Sequence, residues 1–337
     1  MKFISGIVIM NKNRRRVLRV MAIGSGAFLA PQTLLSAGRR VEMIEWHGRA
    51  LGADTSIQLF SNDKSKAAIV IEEAQGIIRK YEAMFSLYID CSETSKLNRS
   101  GVLKNPSPDF VSLIKRSMEF SKSTNGAFDI SVQPLWDVYQ EHFGGDGDGE
   151  LNEKINTVIE NVGSDNISVN NTHVSFDRKN MAVSFNGIAQ GFITDKVTEY
   201  LKEQSFSHTL VNMGEYRAIG PQENGDPWRI GLLNPFDGVS IADVLEVNDG
   251  AVATSGGYGN QFDASGRYHH LFDPHTGLSS ELYASVTVEA SDATTADALS
   301  TAFSNMTQSD IKKVLDQYHQ VCVRLTDQNG QIHVLKA

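Results

Sequence analysis

An aspartate and a threonine near the end of the chain have the residue types and the spacing of a divalent-metal site. Asp297 and Thr301 lie four residues apart in a segment made mostly of small residues. That spacing puts both side chains on one face of a helix. Carboxylate and hydroxyl oxygens are hard ligands of the kind that bind Mg²⁺. The same spacing occurs by chance in alanine-rich core helices, so the pair alone leaves a purely structural role open.

Two further segments are rich in small residues, which would let a ligand contact their backbone. A glycine-punctuated turn at residues 186–191 leads into a helix with an apolar stripe, and backbone groups at such a turn can line a ligand. Residues 251–258 are also small, so a ligand can come close to their backbone. The helix that carries Asp297 is predicted to be capped by Thr294 or Thr295, because a threonine hydroxyl can accept from the first turn.

Composition limits the classes of function. The chain has 337 residues, of which 41% are hydrophobic, enough for one large domain or two ordinary ones. Its formal net charge of -9 argues against a nucleic-acid-binding surface, which normally carries a basic stripe. The two cysteines, Cys91 and Cys322, are far apart and indicate neither a zinc site nor a disulfide framework.

Residues 1–37 have the pattern of a twin-arginine export signal. Three arginines at 14–16 precede an uncharged stretch at 20–30, and Ser36-Ala37 offers a cleavage site. The uncharged stretch is too short to span a bilayer as a helix of the mature chain. We therefore expect a periplasmic protein that begins near Gly38, whereas an uncut signal would leave it attached to the membrane.

Caps and periodicity predict the main elements. Helices are expected after Asn62-Asp63 and after Ser107-Pro108, with a surface loop at residues 92–98 between them. Strands are expected at 56–59, 174–176, 182–185, 208–213, 228–233, 240–247, 320–325 and 331–335. The strands at 174–176 and 182–185 would form one hairpin. Those at 320–325 and 331–335 would form another across Asn329-Gly330. Strand runs with separated helices indicate an α+β fold of mixed β-sheets with packed helices, in one unit at residues 38–337.

A set of spaced motifs resembles the ApbE family, the flavin transferases that move FMN from FAD onto a protein. The motifs are FSLY at 85–88, GAFD at 126–129, GIAQG at 187–191, NMGEYRAIG at 212–220, ATSG at 253–256, HLFDPHTG at 270–277 and TADALST at 295–301. They span nearly the whole predicted mature chain in the order of the family. Three positions depart from the family pattern: Gly214 is followed directly by Glu215 where many members have a second glycine, Gln190 stands where Lys or Glu is usual, and His275 stands where Arg is frequent.

The resemblance implies a substrate, a metal and an acceptor. Members bind FAD, with Mg²⁺ held by a main-chain carbonyl near Gly187, by Asp297 and by Thr301. FMN would pass to a Ser or Thr hydroxyl of a partner flavoprotein, and AMP would leave. His270 is the candidate general base, and Asp273 the candidate residue that orients it. The candidate FAD-binding residues are Tyr88, Phe128, Asp129, Gly187, Ala189, Gly214, Glu215, Thr254, Ser255, Gly256 and His270.

Several alternatives stay open. His270 can be a structural histidine bonded to backbone, or can join His269 and His275 at a transition metal. Tyr88 can be an ordinary surface aromatic instead of a surface on which the flavin stacks. The same motifs suit an Mg²⁺-dependent FAD pyrophosphatase, in which water replaces the protein hydroxyl. A periplasmic flavin-binding or carrier protein without chemistry is the third function to be tested.

Overall fold

The computed structural model describes residues 40–145 and 150–337, so the predicted signal peptide lies outside the described residues. The strands are β1 (Glu42–Ala50), β2 (Ala53–Ser61), β3 (Val102–Lys104), β4 (Ile167–Val169), β5 (His173–Phe176), β6 (Thr209–Asn212), β7 (Tyr216–Ile219), β8 (Trp228–Leu233), β9 (Ile241–Val247), β10 (Gly250–Ser255), β11 (Ser285–Ala290), β12 (Cys322–Thr326) and β13 (Ile332–Lys336). The α-helices are α1 (Lys64–Phe85), α2 (Glu93–Ser100), α3 (Pro108–Ser123), α4 (Gln133–Phe143), α5 (Leu151–Val158), α6 (Ala189–Glu203), α7 (Ala293–Phe303) and α8 (Gln308–Leu315).

The largest sheet has eight strands in the order β1-β2-β6-β7-β10-β11-β12-β13. Each neighbouring pair in it is antiparallel. Two smaller antiparallel sheets, β3-β5-β4 and β8-β9, accompany it. The predicted α+β class is confirmed.

The central strands of the large sheet are buried on both faces, since consecutive residues of β6 and β10 point to opposite faces and are buried. Val211 and Ala251 belong to the main core, which the helices α1, α6 and α7 share. Their neighbours Leu210 and Val252 face the other way, into a second core formed with Trp228 and the rest of the β8-β9 hairpin. The sheet therefore lies between a helical layer and a covering hairpin.

Local signals account for the long helix that precedes the site. The Asp63 carboxylate accepts from the backbone N–H groups of Ser65 and Lys66, as the Asn62-Asp63 pair predicts. The helix α1 buries a stripe on one face with the period of an α-helix. No helix within the described ranges is long and apolar enough to cross a membrane.

Three local predictions are wrong. The segment predicted as a loop at 92–98 contains α2, which begins because the Ser92 hydroxyl accepts from the Ser95 N–H. The predicted strand at 182–185 forms no hairpin with β5: Val183 exchanges hydrogen bonds with the Asn98 side chain, while β5 pairs with β3 and β4. The cap of α7 is Asp292 rather than Thr294 or Thr295.

Candidate active site

A cleft brings together most of the predicted site residues. Its walls come from the segment before α4, the turn before α6, the end of β10, the loop at 270–274 and α7. The residues that line it are Ala127, Phe128, Asp129, Val132, Gln133, Trp136, Ser184, Asn186, Gly187, Gln190, Glu215, Thr254, Ser255, Gly256, His270, Leu271, Phe272, Pro274, Asp297 and Thr301.

The helix α7 presents Asp297 and Thr301 to this cleft, as their spacing predicts. The helix begins where the Asp292 carboxylate accepts from the Thr295 N–H at 2.8 Å. At its cleft side the Ser255 hydroxyl lies 2.7 Å from the Ser300 hydroxyl and 3.5 Å from that of Thr301. These contacts attach the end of β10 to the metal-ligand candidates.

Two glycines of the GIAQG motif permit the close approach of the neighbouring backbone to α7. A Cβ atom at Gly191 would lie 2.3 Å from the Ala293 carbonyl oxygen and 2.8 Å from the Asp297 Cβ. Because that space is empty, the Gly191 N–H reaches the Asp297 carboxylate at 2.9 Å. A Cβ at Gly187 would lie 3.0 Å from the Thr301 hydroxyl oxygen, so bare backbone faces this side chain.

A buried carboxylate on α6 holds the first turn of α7. Asp195 accepts from the backbone N–H groups of Ala293 and Thr294, both at 2.8 Å, and from the Thr294 hydroxyl. Arg217 on β7 forms an ion pair with the same carboxylate at 2.6 Å. Burial raises the pKa of Asp195, and the Arg217 charge opposes that rise. The start of α7 is therefore fixed to both α6 and the sheet.

Two acids in the cleft are buried close enough to influence each other. Burial raises the pKa of Asp297 to about 7, opposed by the Gly191 N–H. Burial also raises the pKa of Glu215, and the Asp297 charge adds to the rise. The Glu215 carboxylate accepts from the Thr254 N–H at 3.3 Å. Such a pair of acids is stabilised in its charged form by a nearby cation.

The donors in the cleft fit Mg²⁺. Asp297 and Thr301 supply hard oxygen atoms, and the backbone at Gly187 lies against Thr301. Among the described residues that line the cleft there is no lysine or arginine to neutralise these acids or a bound diphosphate. A divalent cation therefore suits the charge of the cleft.

His270 lines the cleft and is attached to the loop that precedes it. Its Nδ1 atom lies 3.2 Å from the Asn260 carbonyl oxygen, and its backbone N–H donates to the same oxygen at 3.1 Å. Asp273 lies in a neighbouring groove, where its carboxylate accepts from the His275 N–H at 2.9 Å and from the Thr276 hydroxyl at 3.0 Å. These bonds shape the turn, and the role of Asp273 in orienting His270 stays a prediction.

The alternative prediction, a transition-metal site on three histidines, is wrong. Among the described residues, no group of three or more His, Cys, Asp or Glu side chains can hold a metal ion. The His269 Nε2 atom lies 2.8 Å from the Ser280 carbonyl oxygen, and burial lowers the pKa of His269. The His275 Nε2 atom lies 2.9 Å from the Asn125 carbonyl oxygen. Both rings are bonded to backbone.

The other predicted FAD-binding residues divide into two sets. Those that line the cleft are Phe128, Asp129, Gly187, Glu215, Thr254, Ser255, Gly256 and His270. The Asp129 carboxylate already accepts from the Ser131 N–H and hydroxyl and from the Ser164 N–H. Tyr88, Ala189 and Gly214 are not among the lining residues: Tyr88 is 73% exposed, Ala189 is buried, and Gly214 packs against the Gln190 amide.

Sequence reasoning missed one wall of the cleft. Val132, Gln133 and Trp136 line it from the start of α4, directly after the GAFD motif. The sequence feature that could have identified this wall is Trp136, an aromatic residue in the amphipathic helix that follows the GAFD motif.

Comparison with known proteins identifies the family of the chain. A sequence model of the ApbE family matches residues 51–325. The chain belongs to the ApbE family. An ApbE-family relative from Vibrio cholerae, named FAD:protein FMN transferase, is 29% identical over 80% of this chain and 83% of its own. A relative of the same name from Haemophilus influenzae is 28% identical over 80% and 82%.

Solved structures of the ApbE family share the fold. The flavin transferase ApbE from Vibrio cholerae superposes with a TM-score of 0.74 at 25% identity, covering 88% of this chain and 97% of its own. The ApbE protein of Thermotoga maritima superposes with a TM-score of 0.73 at 30% identity, covering 87% and 96%.

Proposed function

We infer that this chain transfers FMN from FAD to a Ser or Thr hydroxyl of a partner flavoprotein, releases AMP and requires Mg²⁺. The observation that carries this conclusion is the cleft that joins Asp297, Thr301 and Gly187 with His270. Membership of the ApbE family and the name of the relatives, FAD:protein FMN transferase, support it.

The residues that would hold Mg²⁺ are Asp297, Thr301 and the backbone at Gly187. When bound, the ion would neutralise charge on the pyrophosphate of FAD. The Asp195 contacts fix the start of α7 and so keep Asp297 and Thr301 at the cleft. Positioning of this kind supplies much of the catalysis in phosphoryl-type transfers.

His270 acts as the general base in this proposal. A serine or threonine hydroxyl is a poor nucleophile at neutral pH, so removal of its proton assists the attack. In the tautomer whose Nδ1–H donates to the Asn260 carbonyl, Nε2 is the basic nitrogen. The hydroxyl oxygen bonds to the FMN phosphorus, its proton passes to Nε2, and the bond from phosphorus to the AMP oxygen breaks.

Co-expression with candidate acceptors from the same genome tests the transfer. The expected result is an acceptor that stays fluorescent in a denaturing gel and is heavier by one FMN phosphoryl group in mass spectrometry, with one AMP released per label. Asp297→Asn is the matched variant that should give no label. Rapid release of free FMN and AMP without a labelled protein would identify an FAD pyrophosphatase instead. Tight FAD binding with neither product would identify a flavin-binding protein.

The same proposal places the enzyme in the periplasm. The twin-arginine pattern at residues 14–16 and the uncharged stretch that follows support export. A transferase there would complete exported flavoproteins.

A further inference from the structure

FAD carries two planar ring systems, the flavin and the adenine, and each needs an aromatic or apolar surface to replace water. Stacking of a base on an aromatic side chain is a common solution. Tyr88 and Phe128 are the aromatic candidates that sequence motifs suggest, and Tyr88 is not among the residues that line the cleft. The stacking surface must therefore be sought among the aromatic residues of the cleft itself.

Two of those residues have their rings committed to the core. Phe128 is 2% exposed, and its ring centroid lies 6.1 Å from that of Phe120 in an edge-to-face contact. Phe272 is 5% exposed, and its ring centroid lies 4.8 Å from that of Tyr139. Neither ring has a face to offer without a change in core packing.

Trp136 differs from both. It lies on α4, is half-buried and lines the cleft. Its indole Nε1–H donates to the Gln140 side chain at 2.8 Å, one helical turn away. Its ring centroid lies 5.0 Å from that of Phe262 in an edge-to-face contact. The hydrogen bond and the ring contact hold the indole in one orientation while part of its surface stays open.

We propose that Trp136 is the surface on which one of the two ring systems of FAD stacks. This inference rests on the proposed function, because it requires FAD to occupy the cleft. Among the described residues that line the cleft, Trp136 is the aromatic side chain, other than the His270 imidazole, that retains exposed area. A ring held in place before binding loses little rotational freedom when the ligand arrives, which favours affinity.

Calorimetric titrations of the whole protein in Mg²⁺ buffer test the proposal, with FAD, FMN and ADP as separate ligands. Trp136→Ala should weaken FAD binding by about fivefold or more, the lower end of what one stacked ring contributes. Trp136→Phe should keep the affinity within about threefold of wild type, because a phenyl ring preserves stacking. A loss confined to FMN assigns the flavin to Trp136, whereas a loss confined to ADP assigns the adenine.

Two controls separate stacking from a structural role. Trp46→Ala removes a partly buried tryptophan of β1 that does not line the cleft, and it should leave FAD affinity unchanged. Thermal unfolding of each variant reports any loss of packing against Phe262. Wild-type FAD affinity in Trp136→Ala, or an equal loss in Trp136→Ala and Trp136→Phe, would overturn the stacking role. Wild-type protein that does not bind FAD at all would overturn the proposed function, and the stacking role with it.

Discussion

The carboxylate of Asp297 is buried in the cleft, and this burial disfavours its charged form. It is 4% exposed, and it accepts from one backbone N–H. Burial raises the pKa of Glu215, and the nearby Asp297 charge raises it further, so the two carboxylates disfavour each other's charged form. A protein selected only for stability would gain by replacing such a residue. Its presence in a cleft is therefore a mark of function.

Asp297→Asn should weaken the pH dependence of the stability of the metal-free protein and abolish its stabilisation by Mg²⁺. The pKa of this carboxyl is about 7 in the folded protein, against an ordinary value of 3.8. Between these values the unfolded chain has lost its proton and the folded protein keeps it, so stability falls as pH rises from about 4 to 7. Melting temperatures in EDTA and in MgCl₂ across that range measure both effects.

Asp310→Asn, on the exposed first turn of α8, is the matched control and should respond to Mg²⁺ like wild type. An equal rise in melting temperature with Mg²⁺ for Asp297→Asn and wild type would show that the metal binds elsewhere.

His270→Ala should slow FMN transfer by about 100-fold, the lower end of the range for a general base, while FAD still binds. His333→Ala on β13 is the control for loss of a histidine away from the cleft. Single-turnover rates at saturating FAD, with FAD affinity measured separately, give the comparison. A wild-type rate in His270→Ala would return this residue to a structural role.

The contact between α6 and α7 is the element on which the metal-ligand candidates depend. The two helices approach closely because Gly191 has no side chain, and the Asp195 carboxylate on α6 binds the first turn of α7. Any displacement of α7 moves Asp297 and Thr301 together, since both lie on that helix.

Gly191→Ala should destabilise the protein by about 1–3 kcal/mol and lower its affinity for Mg²⁺. The added methyl group would overlap the Ala293 carbonyl, and overpacking of this kind forces backbone shifts. Gly76→Ala in α1 is the matched control, because a Cβ there meets only the Arg79 side chain at 4.0 Å. That variant should gain about 1 kcal/mol from helix propensity.

Denaturant unfolding gives the free energies, and titration of FMN transfer with MgCl₂ gives the affinities. Unchanged Mg²⁺ dependence in Gly191→Ala would mean that the distance between α6 and α7 does not set the metal site.

Elements with a strong local signal could be predicted from the sequence. The carboxylate of Asp63 caps α1 as expected, and Asn329-Gly330 forms the predicted turn between β12 and β13, with Gly330 at a φ of 84°. The spacing of Asp297 and Thr301 likewise placed both on one helix face.

Elements that depend on distant partners could not be predicted from the sequence. The helix α2 is so polar that only Thr94 and Leu97 are buried, and no apolar stripe reveals it. Residues 182–185 alternate like a strand, yet Val183 pairs with the side chain of Asn98, far away in sequence. Trp136 joins the site only because the loop at 270–274 packs near α4, a tertiary contact that periodicity does not contain.

Export concerns the whole molecule. Replacement of Arg14 and Arg15 by Lys should keep the protein in the cytoplasm if the twin-arginine prediction is correct. Cell fractionation followed by immunoblotting measures the distribution, and Lys12→Arg, just outside the motif, is the control. Periplasmic accumulation of the double variant would indicate a general secretory signal or a membrane anchor.

The order of strands in the large sheet has a consequence for how the molecule is made. Ser56 on β2 pairs with Asn212 on β6, and the segment between these strands carries Phe128 and Trp136. Closing so long a loop is entropically costly, and folds dominated by distant pairings form slowly. The other side of the cleft comes from α7, which follows β2 and β6 in the chain and is therefore synthesised after them. A nascent chain that has not yet emerged as far as α7 therefore lacks one wall of the cleft, and the cleft cannot close around a ligand before that helix is made.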